Sequence, residues 1–580
     1  MIRLNSIAEL RKGYANGRLH PQEVAELARR RALDSPKSVW IHVLDESSLS
    51  TYLGRLESLD FSTSPLWGVP FAIKDNIDLA GVQTTAGCPD YAYVPQQSAF
   101  VVDRLIDAGA IPIGKTNLDQ FATGLTGTRS PYGSVRNAID PTYIAGGSSS
   151  GSAVAVRNGS VPFALGTDTA GSGRIPAAFN GLIGFKPTRG WWSTRGVVPA
   201  CRTLDCVSAF TNNVADANVV AEIAGGFDRD ESFSRRVEQR SFARSSPRLG
   251  YLTPNQLPWR DNSEYAGLFR GFTEDLPDTS VSIDPEPFLS AGRLLYEGPW
   301  LAERAVAVGE FLKNNPDSVH PVTRSVIESA PALSAMECFR SLYQLAELRR
   351  EIEVIFEDID VVVMPTAPKH YTLAEVEREP LATNSYLGTF SHCVNLLDFC
   401  AVALPSGTTS LGLPFGITLV GKDGFDTALL DLAADILGEK LVESRSMRSK
   451  EMSLAVCGAH MTGQPLNHEL TRRGGRRLRC ARTSPYYRLY ALPDGIRPAL
   501  VRNASGGAAI ELEVWTLPEE KLGGFIGPVE SPLAIGSVEL GNGEWVKGFV
   551  GDFSTTDGAV DITSYGGWRS FRRSLKSSGN

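Results

Sequence analysis

The chain has 580 residues, 42% of them hydrophobic, which is more than one common domain needs and enough to bury sizeable cores. Its formal net charge of −8 argues against a general nucleic-acid binder. No run of ~18 apolar residues occurs, and the start Met1-Ile2-Arg3-Leu4-Asn5 lacks a signal-peptide core, so neither a membrane partner nor export is expected and the location expected is cytoplasmic.

In chain order, Ser6 is placed to cap a first helix and Pro21 to open a second that runs to Ala32. Both are expected outside the core sheet, as candidates for an oligomer interface. Val69 to Ile73 reads as a strand that delivers Lys74. Val101, Val102, Leu105, Ile106 and Ala108 carry helical spacing over 99–108, Gly109 ends that helix, and Ile111-Pro112-Ile113 is the next strand. Gly146-Gly147-Ser148-Ser149-Ser150-Gly151-Ser152 then feeds the helical start Ala153-Val154-Ala155-Val156. Its apolar flanks argue against a linker, and no lysine follows the glycine as a phosphate loop requires. Val161 to Leu165 is another strand, and it opens into the small-residue turn Gly166-Thr167-Asp168-Thr169-Ala170-Gly171-Ser172-Gly173-Arg174.

Serine chemistry needs a base. All seven histidines lie far from these turns in sequence, which excludes none of them, since such sites assemble in space. Lysine is the other candidate. Lys74 ends an apolar strand, and desolvation lowers a lysine from about 10.4 toward neutrality. A salt bridge to Asp75 is the competing reading, and Lys115 is a rival base.

Lys74, the Gly-Gly-Ser-Ser-Ser-Gly-Ser loop and the turn through Arg174 together resemble the amidase signature family, over about residues 5–440, and the spacing from Ser148 to Ser172 matches its register. The resemblance implies that Ser172 is the nucleophile and Ser148 a bridging serine after a cis peptide at Gly147. Lys74 is then the base acting through Ser148, and the backbone N–H groups of Thr169, Ala170, Gly171 and Ser172 form the oxyanion hole. Ala170 stands where the family more often has glycine; its methyl is expected to narrow the pocket and favour a small substrate. Lys115 falls outside the motif's register, so a structural role is expected for it.

Further on, helices are expected over 302–312 and 342–359, strands at Val361 to Thr366 and Phe415 to Val420, and an amphipathic helix over 427–441. The alternation predicts an α/β fold with a mixed sheet, and the resemblance implies that this is the amidase-signature sheet flanked by helices, over 1–443. A polar linker is expected at 444–452, then a smaller β-rich α+β domain over 453–570 and a flexible tail over 571–580. Short strands are read at Leu454 to Cys457, Arg497 to Val501, Ala509 to Trp515, Ile535 to Leu540 and Trp545 to Val550, with Gly541-Asn542-Gly543 as a hairpin cue. Val456 to Asn467 resembles the first strand and loop of the gamma-glutamylcyclotransferase-like fold, with Cys457 in place of the usual tyrosine. Six arginines between Arg472 and Arg482 read as a solvated hairpin. The eight cysteines are scattered, without zinc spacing, and are expected to be buried reduced thiols; no metal or other cofactor is expected.

The two-domain order, with Tyr296-Glu297-Gly298-Pro299-Trp300, Arg304 and Asn395-Leu396-Leu397-Asp398, resembles the allophanate hydrolase family. That resemblance implies a small-molecule substrate, allophanate, with ammonia released through an acyl-enzyme. Tyr296 and Arg304 would bind the substrate carboxylate, about two helical turns apart and so on one face, and Gly124 joins the substrate contacts. For Arg304 an ion pair with Glu303 or Glu310 is the competing reading. It further implies a homodimer linked to a separate urea carboxylase or a biuret or cyanurate pathway, and a C-terminal domain that decarboxylates the N-carboxycarbamate product. His460 is the candidate proton donor there, His468 the second choice, with the 472–482 arginines supplying charge. An amidase for another small carboxylated amide, a glutaminase-type subunit of an amidotransferase and a silent scaffold stay open.

Overall fold

The computed structural model describes residues 4–243, 246–329, 334–439, 451–503, 505–552, 554 and 558–577. Two compact units divide the chain, Met1–Leu441 and Val442–Asn580. Residues 444–450 of the expected linker lie outside the described residues, and its last two positions already belong to the strand Glu451–Val456.

The first unit is built on an eleven-stranded mixed sheet. From edge to edge its strands begin at Trp40, Ile111, Pro70, Phe163, Cys206, Ile183, Cys400, Pro414, Val361, Leu249 and Val281. Pro70–Lys74 is the third strand from one edge, parallel to both its neighbours, Ile111–Thr116 and Phe163–Asp168. All three strands are buried at every position, as expected of parallel strands covered on both faces, and this is why they read as apolar runs and not as alternation. The helix Phe100–Asp107 makes the crossover between the first two, burying Val101, Val102, Leu105 and Ile106. Because the three strands are parallel and in register, Lys74 and Asp168 reach the same edge of the sheet. There the helix Ser150–Arg157 packs beneath them, Ser152 Oγ donating to Leu165 O at 2.8 Å.

Two expectations fail here for physical reasons. Tyr296 and Arg304 are not on one helix: Glu286–Glu297 ends at Gly298, and Trp300–Asn314 begins after Pro299, so counting helical turns across the break has no meaning. The helix expected from residue 342 is Ala335–Asp358, started by a capping box in which Ser334 and Glu337 exchange hydrogen bonds. Its first turns leave Met336, Phe339 and Tyr343 exposed, so no buried periodicity marked them.

The second unit holds a five-stranded sheet, with strands beginning at Arg476, Glu511, Glu451, Trp545 and Leu533, and a three-stranded sheet beginning at Pro498, Tyr487 and Val560. Its main strands alternate between two cores. Leu454, Val456, Trp515 and Leu517 face one, while Ala455, Leu512 and Val514 face the other. Leu533–Glu539 and Trp545–Gly551 pair antiparallel around Gly543, whose φ of +82° suits glycine. The arginine-rich segment is not a hairpin. Arg472 and Arg473 follow the short helix Asn467–Thr471, and the rest is one exposed edge strand, Arg476–Arg482, paired with Glu511–Pro518; cationic side chains on an edge discourage further pairing. The expected tail instead continues, through Ser577, the helix Trp568–Ser577, anchored by the buried Trp568. Six of the cysteines are buried, but Cys338 is half-buried and Cys480 exposed.

Candidate active site

Lys74 closes the strand Pro70–Lys74 with no solvent exposure. Its Nζ lies 2.7 Å from Ser148 Oγ and 2.7 Å from Thr167 Oγ1. Burial pulls its pKa down to about 7, against the opposing pull of Asp119, Asp168 and Asp205. The ammonium form donates to both hydroxyls; the neutral amine can accept the Ser148 proton instead. Lys74 does not pair with Asp75, which is held by the buried Lys115 at 3.0 Å, with Thr84 Oγ1 at 2.9 Å from the same amine. The rival lysine is thus committed to a structural pair.

Ser148 follows a cis peptide bond after Gly147. A Cβ at Gly147 would lie 2.1 Å from Asp119 Oδ2 and 2.6 Å from Gly127 N, so no other residue fits there. Asp119 organises this side of the site: its carboxylate accepts from the backbone N–H groups of Thr126, Gly127 and Arg129. Gly124 abuts the same carboxylate. A Cβ there would lie only 2.7 Å from Asp119 Oδ2, which gives that glycine a packing reason independent of substrate.

The turn bearing Ser172 leaves the neighbouring strand at Asp168. Arg174 Nε donates to Asp168 Oδ2 at 2.8 Å and its NH2 to Oδ1 at 2.9 Å, and both residues are buried. Burial alone would raise the Asp168 carboxyl, but Arg174 and the turn's own N–H groups hold it below the usual range. Asn395 Nδ2 donates to Asp168 O at 2.8 Å, and Ser391 Oγ donates to Ala170 O at 2.6 Å. The turn is therefore gripped from both sides. Gly171 N–H donates to Asp168 Oδ1 at 2.8 Å, which removes it from the expected oxyanion hole. Among the described residues, the N–H groups of Thr169, Ala170 and Ser172 find no partner and stay available to a developing oxyanion. Ser172 itself is 2% exposed, and no hydrogen bond joins its hydroxyl to Ser148 among the described residues.

Arg304 is 3% exposed, and its only hydrogen bond among the described residues goes from NH1 to Thr123 Oγ1 at 3.0 Å. Neither Glu303 nor Glu310 pairs with it; Glu303 is taken by the N–H and hydroxyl of Thr203. Burial opposes its charge, but Cys201, Tyr296, Asp205 and Glu303 outweigh that and raise its pKa. Arg129, also buried, meets the same threonine through its carbonyl, NH1 to Thr123 O at 3.0 Å. Burial pushes Asp205 up to about 6, where it accepts from Ala200 N–H, Cys201 N–H and the Thr169 hydroxyl. Sequence reading passed over Thr167, Asp119, Asp205 and Arg129. Their partners are remote in the chain, and no local pattern sets them apart.

In the second unit, His460 Nε2 lies 3.2 Å from Glu469 Oε2, and its ring stacks on Phe549 with centroids 5.1 Å apart. Burial lowers its pKa although Glu469 opposes this, so a standing proton on His460 is disfavoured. The ring lines a cavity of about 150 Å³ with Cys457, Glu469, Arg497 and Glu530. His468 is exposed and spends Nδ1 on Pro465 O. None of the 472–482 arginines lines this cavity, whose guanidinium is Arg497, and Arg477 pairs with Glu513 and Arg479 with Glu544; Arg473, however, lies over the ring of the cavity residue Phe525 at 5.7 Å and its charge reaches His460. Among the described residues no cluster of three or more His, Cys, Asp or Glu is arranged to hold a metal ion, and no helix is long and apolar enough to cross a membrane.

Comparison with known proteins places these units. Residues 26–430 match the family described as amidase, and residues 452–573 match the allophanate hydrolase C-terminal domain. The chain is 42% identical to the urea amidolyase of Saccharomyces cerevisiae over 93% of its own length, and it spans 31% of that protein. It is 32% identical to a glutamyl-tRNA(Gln) amidotransferase subunit of Lactobacillus acidophilus, covering 74% of this chain and 95% of that relative. Among solved structures, the Kluyveromyces lactis allophanate hydrolase superposes with a TM-score of 0.70 at 39% identity, over 97% of this chain and 98% of the other.

Proposed function

The chain belongs to the amidase family, and on that footing we propose that it hydrolyses allophanate, urea-1-carboxylate, with release of ammonia. The observation that carries the substrate is Arg304. It is a buried guanidinium that makes one hydrogen bond and no ion pair among the described residues, so it keeps N–H donors that can grip a substrate carboxylate bidentately. The names carried by the similar proteins point the same way.

In the proposed sequence, neutral Lys74 takes the Ser148 proton while Ser148 takes that of Ser172. Ser172 Oγ bonds to the terminal amide carbon, and the oxyanion rests on the N–H groups of Thr169, Ala170 and Ser172. The carbon–nitrogen bond then breaks as the proton returns through the same path to the nitrogen, which leaves as ammonia. Water, deprotonated by the same relay, attacks the acyl-enzyme and frees Ser172 with N-carboxycarbamate as product. The second unit would take this dianion into the His460 cavity, where Arg497 offers charge and loss of carbon dioxide leaves a site that must be protonated. A gamma-glutamylcyclotransferase-like fold for that unit belongs to the same reading. So do a homodimer, to which the exposed Met336, Phe339 and Tyr343 lend an apolar surface, and supply of allophanate by urea carboxylation.

The test is ammonia release by the purified protein from allophanate, glutamine and simple amides side by side. Preference for allophanate supports the reading. Preference for glutamine would instead favour an amidotransferase-type role, the direction in which the Lactobacillus relative points.

A further inference from the structure

His392 is buried, 5% exposed, and one residue beyond Ser391, which holds the nucleophile turn through Ala170 O and receives Arg174 through its own carbonyl. Its Nε2 is buried without a partner, and no hydrogen bond to Nδ1 is found among the described residues. A neutral ring carries one donor and one acceptor, and a nitrogen buried without a partner, as Nε2 is, is costly. The surroundings are shaped to keep the ring there. A Cβ at Gly388 would sit 1.7 Å from Nε2, so only glycine admits the imidazole. The Nε2 tip is thus closed off by Gly388, which leaves Nδ1, across Cε1 from it, as the ring nitrogen not packed against that glycine. The ring packs on Tyr296, with centroids 5.0 Å apart, and together they line a cavity of about 220 Å³ with Ser385, Thr389 and the charged side chains of Arg293 and Glu297. Burial, helped by the charges of Arg174 and Arg304 and opposed by Asp168, pushes the imidazole down to about 3, so it is neutral at working pH.

We propose that His392 is a third contact to the substrate carboxylate: its Nδ1–H donates alongside Tyr296 and Arg304. This rests on the reading that Tyr296 and Arg304 hold a carboxylate at all. A neutral donor suits the place. It adds a directed hydrogen bond without a further buried charge beside Arg304, and it sets the phenol of Tyr296 by ring packing.

The test compares full-length His392→Phe, His392→Asn and Arg304→Ala on allophanate and on propionamide, an uncharged amide. Phenylalanine keeps a ring against Tyr296 but has no N–H; asparagine restores a donor near the Nδ1 position. His392→Phe is expected to raise KM for allophanate about tenfold with kcat within about threefold, with a much smaller effect on KM for propionamide, and His392→Asn to stay within about threefold throughout. Wild-type KM for allophanate in His392→Phe, or an equal rise on propionamide, overturns the proposal. If Arg304→Ala raises KM for allophanate while His392→Phe does not, the His392 contact alone fails. If neither does, the carboxylate pocket fails with it. Should His392→Phe not fold, ¹⁵N-histidine spectra of Ser172→Ala decide the matter. Adding allophanate should shift the His392 ring-nitrogen signals, and signals left unmoved overturn the contact.

Discussion

At the residue scale, Lys74 sets the pH behaviour. A base must be unprotonated, and burial places its pKa at about 7. Activity limited by neutral Lys74 should therefore rise about tenfold per pH unit below that value and level off above it. A kcat/KM profile flat from pH 5 to 8 would remove Lys74 from the role of base. Ser172→Ala should abolish ammonia release, whereas Lys74→Ala and Ser148→Ala should each lose several orders of magnitude and combine non-additively, because they share one proton path. Single-turnover assays of the two single variants and the double variant check this: multiplying losses would contradict the relay. Arg304→Ala should raise KM for allophanate by about 10–100-fold, as expected for a lost charge-assisted bond of about 1.5–3 kcal/mol, with a much smaller effect on a neutral amide.

At the scale of elements, the nucleophile turn is held by a buried ion pair and by its neighbours, not by its own sequence. Asp168 joins Arg174, the N–H groups of Gly171 and Gly173 and, through its carbonyl, Asn395. Removing one partner of such a pair leaves an uncompensated buried charge and costs about 3–5 kcal/mol. Arg174→Met should accordingly lower the urea midpoint of the first unit and lose activity together. A stable but inactive variant would instead show that the pair acts on catalysis alone. The same logic accounts for Gly147 and Gly171, whose missing Cβ atoms make room for Asp119 and Ser391.

At the scale of the molecule, each unit has its own hydrophobic cores and its own cavity. His460→Ala in the full chain is expected to leave ammonia release from the first step intact while carbon dioxide release lags behind it. If both gases appear at the wild-type rate and in the wild-type ratio, the second unit does not act on the product through His460.

How much was legible in advance follows from the range of each interaction. The serine loops, Lys74 and the strand–helix alternation are local patterns, so the sequence alone determined the α/β sheet and the amidase relationship, and it nominated Lys74, Ser148 and Ser172 as the residues to test. The break at Gly298-Pro299 was also written in the chain, yet residue counting overrode it. Tertiary structure alone decided which lysine is unpaired. Asp75 stands next to Lys74 in sequence but turns to Lys115, because successive residues at the end of a strand point to opposite sides. It also decided that Gly171 is lost to the oxyanion hole, that Arg304 lacks a carboxylate partner among the described residues and that His392 meets Tyr296. Each of these depends on groups brought together across the sheet, and burial, which moves Lys74 to about 7 and His392 to about 3, exists only once the chain has packed around them.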